Sequence, residues 1–300
     1  MKLAPIVLFV YNRLDHTEQT IEALQKNHLA NESELFIYSD AAKNEDVIQS
    51  VIEVRRYLKT IDGFKSITVI EREKNWGLAS SIIDGVTTIV NKYGKIIVLE
   101  DDLVTSPYFL TFMNDALEMY KDKEKVWHIT GWNYAVEANL LDDSFLWRLM
   151  NCWGWATWKD NWRYFEKNVN KSILEFSKSD IKRFDLEGYE PYWKQVIANK
   201  NNEIDSWAVF WYISIFKANG LCLNPTVSFV KNIGFDGSGI HCGVSELPDS
   251  ELNKKHVVFY PEILKENPKA VKVIQNYLKK SKISLWKRIK NKFFRYLYGK

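Results

Sequence analysis

Short apolar runs alternate with helical patterns along the first hundred residues, and this alternation constrains the fold more than any other feature of the chain. Four of the runs have the length and apolar character of buried strands, at 3–10, 35–39, 66–71 and 95–99. Between the second and third, apolar residues recur at helical spacing, at Val47, Val51, Val54 and Leu58. Strands that alternate with helices form βα units, which build a mostly parallel sheet flanked by helices. The sequence therefore predicts an α/β fold.

The sequence also predicts where several helices lie. Asp15 and Glu18 have the spacing of a capping box, so the first helix should cover 16–26. Another helix is expected over 77–91, ahead of the fourth strand. Beyond residue 126 the chain becomes rich in tryptophan and shows no repeat, and a helical pattern returns over 178–202.

Composition is that of a globular chain, with 46% hydrophobic and 26% charged residues. No run of about 18 uncharged apolar residues occurs, so no segment is expected to span a bilayer. The N-terminus runs straight into the first strand without a small-residue cleavage site, which argues against a secretory signal. The three cysteines, Cys152, Cys222 and Cys242, form no C-x-x-C pair. We expect reduced thiols in a cytoplasmic protein.

Charge is distributed unevenly along the chain. Residues 269–300 carry eleven Lys or Arg and no acid, so the rest has a net charge of −8 within a total of +3. The tail is amphipathic, which is typical of helices that lie on anionic membranes. A helix packed on the body of the protein is the alternative, and nucleic-acid binding fits less well because no recognition motif accompanies the basic residues. We divide the chain into 1–125, 126–265 and a basic tail, 266–300.

The fourth strand ends in three acids, Glu100, Asp101 and Asp102. Ligands of open α/β sheets bind at the carboxyl ends of the strands. Mg²⁺ and Mn²⁺ are held by one or two carboxylates together with phosphate oxygens, so this triplet suits a cation that accompanies a nucleoside diphosphate. A solvated acidic turn is the alternative interpretation.

An acidic triplet after the fourth strand resembles the metal motif of glycosyltransferases of GT-A fold, a Rossmann-like nucleotide-diphospho-sugar transferase fold, and the resemblance spans about 3–242. It is closest to family 2-like sugar transferases of bacterial polysaccharide clusters, with a more distant likeness to the N-acetylglucosaminyltransferase I family and its E-D-D motif. The resemblance implies that Asp102 binds Mn²⁺ or Mg²⁺ directly and that Asp101 lies next to the donor ribose or sugar. It also implies a UDP-linked donor.

Three more segments match the donor-binding pattern of these enzymes, and each follows a predicted strand or opens a helix. The segment after the first strand would hold the nucleotide base and ribose, and the acid after the second strand would bond the uracil edge. The segment after the third strand, which opens a helix, would turn the helix amides toward phosphate. The residues implied are Tyr11, Asn12, Arg13, Asp40, Asn75 and Gly77. Arg13 has the alternative of being an exposed residue at a helix start.

An inverting transferase needs a base to take the proton of the acceptor hydroxyl. Asp205, in the segment Ile204-Asp205-Ser206-Trp207, resembles the D-x-W segment that supplies this base, with Glu203 as the substitute. A helix N-cap is the alternative role for Asp205.

The glycine-rich segment 232–241 ends at His241, which resembles the C-terminal histidine that completes the metal shell in many GT-A enzymes. Ordering of the turn is its alternative role. Trp153 and Trp155 flank Gly154, and indole faces stack well on pyranose rings. We expect most tryptophans to be core and one or both of these two to line the acceptor groove.

Together these features predict a metal-dependent, inverting glycosyltransferase of bacterial surface polysaccharide synthesis. Its donor would be a nucleotide-sugar and its acceptor a saccharide or lipid-linked saccharide, reached from the cytoplasm or from the inner face of the membrane. Two alternatives share the fold: a sugar nucleotidyltransferase, whose glycine-rich phosphate loop is missing here, and a catalytically silent carbohydrate-binding protein. Glycoside hydrolysis by two carboxylates fits less well.

Overall fold

The computed structural model describes residues 2–237 and 251–281 of the 300-residue chain. His241, Cys242 and residues 282–300 of the basic tail lie outside these described ranges. The strands are β1 Ile6–Val10, β2 Glu34–Ser39, β3 Ser66–Glu71, β4 Lys95–Glu100, β5 Leu103–Thr105, β6 Val126–Thr130, β7 Ser144–Trp147, β8 Trp155–Trp158, β9 Leu221–Pro225 and β10 Val230–Asn232. The helices are α1 Leu14–Gln25, α2 Ile48–Leu58, α3 Leu78–Tyr93, α4 Phe109–Met119, α5 Lys159–Trp162, α6 Val169–Glu175, α7 Lys178–Phe184, α8 Trp193–Lys200, α9 Ala208–Lys217 and α10, 268–281.

Eight strands form one sheet in the order β3-β2-β1-β4-β8-β6-β9-β7. The first four of these are mutually parallel, whereas β8 and β7 run antiparallel to their neighbours. Helices cover both faces of the sheet, and all four predicted strands are present, so the predicted α/β fold is confirmed. Because β4 pairs with β8, the sequence boundary near residue 125 does not divide the sheet.

The predicted capping box is wrong. Helix α1 begins at Leu14, so Asp15 lies in its first turn and Arg13 occupies the N-cap position without a side-chain cap. The acid still favours the helix start, because a negative charge there interacts well with the helix dipole. The consequence for the site is that Arg13 stands at the junction of β1 and α1.

The two faces of the sheet bury different side chains. On β1, the alternation of residues sends Val7 and Phe9 to one face and Leu8 to the other. The face with Phe9 packs on α3, α9 and α10 and collects most of the aromatic residues of the second half, while the opposite face packs mainly aliphatic residues against α1, α2 and α4. In the ranges 2–237 and 251–281, no helix is long and apolar enough to cross a membrane.

A two-stranded antiparallel ribbon, β5 with β10, lies beside the carboxyl end of β4. In this ribbon Asn232 pairs with Leu103, and the Ile233 amide donates to the Asp102 carbonyl at 2.9 Å. The ribbon therefore brings a segment from the second half of the chain against the acids at the end of β4.

Candidate functional site

Arg13, Asp101 and Asp102 form one cluster at the carboxyl end of the parallel strands. Nη2 of Arg13 donates to Asp102 Oδ2 at 2.8 Å and also to Asp101 Oδ1, and Arg13 Nε lies 3.4 Å from Asp101 Oδ2. Asp101 and Asp102 are only 5% and 7% exposed. Two buried carboxylates thus share one guanidinium, which rules out the solvated acidic turn.

The sheet explains why these three residues meet. Strands β1 and β4 are parallel neighbours, with Phe9 opposite Glu100, so the residues that follow each strand leave the same edge. The Thr20 hydroxyl of α1 donates to the Asp101 carbonyl at 2.8 Å and fixes the turn after β4. Arg13 is consequently partly buried and paired with the acids, and it is not the exposed helix-start residue of the alternative interpretation.

Gly234 closes the cluster from the second half of the chain. A Cβ atom at this position would overlap Asp102 Oδ2 and lie 3.1 Å from Arg13 Nη1. The Gly234 amide is held by Asn232 Oδ1 at 2.8 Å. Only a residue without a side chain fits here, so the ribbon reaches van der Waals contact with the acids.

Burial and charge oppose each other in this cluster. Burial raises the pKa of Asp101, and the adjacent Arg13 lowers it. Burial, together with the charges of Asp102 and Asp101, raises the pKa of Glu100 to about 8. Burial disfavours the charge of Arg13, but the two carboxylates outweigh it and raise the pKa of Arg13 above its usual value. Arg13 Nη1 is buried and has no hydrogen-bond partner among the described residues.

A second cluster forms around Asp40, at the end of β2. Its carboxylate accepts from the Trp76 and Gly77 amides, each at 2.9 Å, and from Asn75 Nδ2 at 3.1 Å. Gly77 has a φ of 73°, a conformation that suits glycine, and it directly precedes α3. The structure therefore brings together the predicted residues Asp40, Asn75 and Gly77, and Asp40 holds the loop that opens α3.

Tyr11 and Asn12 follow β1 at the same edge and are half-buried. The Tyr11 hydroxyl accepts from the Lys43 amide at 3.1 Å, which joins the loops after β1 and β2. The sequence reading missed Arg72, whose guanidinium lies 4.0 Å from the Trp76 ring centre and pairs with Asp84. Arg72 directly follows β3, as Asp101 directly follows β4, and this position in the sequence could have identified it as a residue of the same sheet edge.

Asp205 forms its ion pair outside the acidic cluster. Its side chain is 65% exposed and forms an ion pair with Lys167. Helix α9 has Trp207 at its N-cap, so the alternative role of Asp205 as that N-cap is wrong. Glu203 is exposed and accepts from Asn201 Nδ2 at 2.9 Å. In the described ranges, no hydrogen bond or ion pair joins Asp205 to Arg13, Asp101 or Asp102.

The two tryptophans predicted to face the acceptor have different environments. Trp153 is half-buried, and its ring contacts Phe235 and Trp132 with centroid distances of 5.5 and 4.7 Å. Trp155 is only 1% exposed and is stacked on Trp207 at 5.1 Å. The prediction that Trp155 contacts a ligand is therefore wrong, because its indole is enclosed in the core.

The residues at the end of β4 could hold a divalent cation. Among the described residues, no group of three or more His, Cys, Asp and Glu side chains has the arrangement of a metal site. Mg²⁺ and Mn²⁺ need only one or two protein carboxylates when phosphate oxygens and water complete the shell. Asp101 and Asp102 supply two such carboxylates at one point, and their hard oxygen donors fit these ions.

Comparison with solved structures finds distant likenesses. The mannosyltransferase PcManGT of Pyrobaculum calidifontis, solved with GDP-Man and Mn²⁺, has 11% identity and a TM-score of 0.39 over 72% of this chain and 69% of its own. Residues 1–349 of S. aureus TarS give 8% identity and a TM-score of 0.41, over 75% of this chain and 59% of that one. A longer TarS chain gives 15% identity and a TM-score of 0.28, over 42% of this chain and 21% of that one. This chain thus spans less than two thirds of either TarS chain.

Comparison with protein families is more informative. No curated protein matches the sequence at a significant level. The model of the GNT-I family, in contrast, matches residues 1–175, which include the cluster around Asp40 and the acids after β4. This match covers more than half of the 300 residues, so the chain belongs to the GNT-I family, and its mostly parallel sheet flanked by helices agrees with the predicted GT-A fold.

Proposed function

We propose that this protein is a metal-dependent, inverting glycosyltransferase that moves a sugar from a nucleotide-sugar, UDP-linked by family likeness, to a saccharide or lipid-linked saccharide. The observation that carries the proposal is the convergence of Arg13 on Asp101 and Asp102 at the carboxyl end of β4. Open α/β sheets bind their ligands at this edge, and two buried carboxylates beside a guanidinium suit a cation and a diphosphate.

Donor binding is assigned to the loops after β1, β2 and β3. Tyr11 and Asn12 would contact the base and ribose. Asp40 would either bond the uracil edge directly or hold in place the donor-binding loop that contains Asn75 and Gly77. The hydrogen bonds from that loop to Asp40 support the role of holding the loop, since they occupy both oxygens of its carboxylate. The α3 amides that follow Gly77 lie at a helix N-terminus, where phosphate is favoured.

Asp102 is the proposed direct ligand of Mn²⁺ or Mg²⁺, with Asp101 beside the donor ribose or sugar. When bound, the cation would neutralise the charge that grows on the departing nucleoside diphosphate. Arg13 then has a defined role of its own. Its guanidinium balances both carboxylates here, and its Nη1, which has no hydrogen-bond partner among the described residues, is the proposed donor to a diphosphate oxygen.

Asp205 is the proposed base. In the reaction, the acceptor oxygen attacks the anomeric carbon, the bond from that carbon to the diphosphate breaks, and the hydroxyl proton passes to a carboxylate. The exposure of Asp205 supports this role, because an acceptor must reach the base from solvent. Trp153 is the proposed acceptor contact, since it is only half-buried.

Three finer assignments extend the proposal. His241 is the proposed additional metal ligand. The basic tail is proposed to hold the enzyme on the inner face of an anionic membrane, where a lipid-linked acceptor would be presented. Surface polysaccharide synthesis in a bacterial cytoplasm is the proposed setting.

The decisive experiment measures the melting temperature with UDP-, GDP-, dTDP- and CMP-linked nucleotides, each with and without Mn²⁺. We expect a rise that needs both one nucleotide and the metal, because a ligand that binds only the folded state stabilises it. Asp102→Ala should abolish that rise. If no nucleotide shifts the melting temperature, the glycosyltransferase proposal fails in favour of a silent carbohydrate-binding protein.

The division of roles is tested by transfer assays. Asp205→Asn should lower turnover by about 10²- to 10⁴-fold while the donor-induced melting shift stays intact. Glu203→Gln is the matched control, since it removes a neighbouring exposed acid two residues away. A loss in Glu203→Gln and not in Asp205→Asn would move the base to Glu203, and loss of donor binding in Asp205→Asn would refute the assignment.

A further inference from the structure

A large cleft lies at the edge of the sheet opposite to the acids. It has a volume of about 1170 Å³ and is lined by Gly94, Lys125 and Asn219, which come just before β4, β6 and β9. Strand β4 is six residues long, and at about 3.3 Å per residue it separates this cleft from Asp102 by roughly 20 Å. We call it the amino-edge cleft, and it is distinct from the proposed donor site.

An exposed aromatic ring forms part of its wall. Tyr164 is 54% exposed, and its ring centre lies 5.5 Å from that of the buried Trp127. Arg163 Nη2 donates to the Tyr164 hydroxyl at 3.0 Å, and its guanidinium carbon lies 4.9 Å from the ring centre. Tyr164 is therefore held in place by its neighbours while much of its surface stays accessible.

The charges around the cleft nearly cancel. Three pairs of opposite charge stand on its walls: Lys171 with Glu166 at 2.7 Å, Arg163 with Asp160 at 3.6 Å, and Lys217 with Glu175. The turn 121–125, which also lines it, contributes two acids and three lysines, so the wall carries one positive charge in excess. A strongly anionic or cationic ligand gains little from such a wall, whereas hydroxyl groups find both donors and acceptors.

We propose that the amino-edge cleft is a second saccharide site, which binds a neutral oligosaccharide. The apolar face of a sugar ring would pack on Tyr164, and its hydroxyls would bond the charged side chains of the walls. The volume exceeds the 300–1000 Å³ of typical small-ligand pockets, which suits several linked sugars and not one. Binding there requires neither nucleotide nor metal, so this site stands independently of the proposed transfer reaction.

The test is calorimetric titration of the full chain with neutral hexasaccharides of glucose, mannose and N-acetylglucosamine, without nucleotide or metal. We expect at least one of them to bind. Tyr164→Ala should weaken that binding about tenfold, which corresponds to the loss of one aromatic contact. Phe259→Ala removes another exposed aromatic ring, 44% exposed and outside the cleft, and should leave the affinity unchanged.

Asp102→Ala distinguishes the two edges of the sheet. It should leave oligosaccharide affinity unchanged even where it abolishes the nucleotide-dependent melting shift. The proposal is overturned if no hexasaccharide binds, if Tyr164→Ala binds as tightly as Phe259→Ala, or if Asp102→Ala removes binding. Melting curves of Tyr164→Ala provide the check on folding, and an exposed tyrosine should cost little stability.

Discussion

The two halves of the sheet are built with different chemistry. At the ends of β1 to β4, charged groups meet: Arg13 with Asp101 and Asp102, and Asp40 with the loop before α3. Around β6, β8 and α9, aromatic rings stack instead, with Trp155 on Trp207 and Trp162 near Trp211 at 5.0 Å. Charges that leave water lose hydration, so the first arrangement adds little stability, whereas buried aromatic area adds a great deal.

This contrast separates function from stability. In the first half, substitutions at the sheet edge should damage ligand binding more than folding. In the second half, substitutions of enclosed rings should unfold the protein before they reveal any role in the reaction.

Replacing Trp155 by alanine should have the largest effect on stability. Its indole is 1% exposed and is stacked between neighbouring rings, so its removal leaves a cavity that costs about 3–5 kcal/mol in the free energy of unfolding. Urea unfolding of Trp155→Ala measures it. Trp153→Ala, on a half-buried ring, is the control and should cost clearly less. Equal losses would mean that both rings serve the core.

Gly234→Ala should break the charged half while leaving the fold largely intact. The added methyl group would overlap Asp102 Oδ2 and crowd Arg13 Nη1, so the carboxylate must move. A displacement of about 1 Å at a reacting site costs about 100-fold in rate, and we expect that loss in sugar transfer. Gly188→Ala meets no atom within 4 Å but has a φ of 90°, so it controls for folding losses alone. Full activity in Gly234→Ala would mean that the close contact between Gly234 and Asp102 is not needed for sugar transfer.

The sequence predicted the first half well because its signals are local. Buried parallel strands read as continuous apolar runs, and acids such as Asp102 directly follow them. Gly234 could not be placed, since its contact with Asp102 depends on the β5–β10 pairing across more than a hundred residues. Trp155 was misassigned for a related reason: the sequence gives a tryptophan's chemistry, and only the packing of β8 against α9 decides which ring is enclosed.

Acid should weaken the aromatic half through His128. Burial lowers the pKa of His128 to about 3 despite its bond to the Asn151 carbonyl, against an ordinary value of 6.5. The unfolded chain takes up a proton below about pH 6.5 that the folded chain refuses, so stability falls as pH falls. Between pH 7 and 5 this amounts to about 2 kcal/mol. Urea unfolding at both values should show a smaller pH dependence in His128→Gln, and an unchanged dependence would exclude His128 as the cause.

Asp40→Asn should give the smallest effect, and it tests whether the loop before α3 serves ligand binding or folding. The amide keeps the shape of the side chain and one acceptor oxygen, but it sets an N–H group against the donors of Asn75 and Gly77. Losing charge-assisted bonds of this kind costs about 1.5–3 kcal/mol each when buried, and local adjustment of the loop should keep the total near the lower value.

Donor affinity should fall by about tenfold, the factor for about 1.4 kcal/mol. Asp46→Asn, on an exposed acid nearby, is the control. If Asp40→Asn lowers stability as much as Trp155→Ala while donor affinity is unchanged, the loop before α3 belongs to the structural half, because its order then serves the fold and not the ligand.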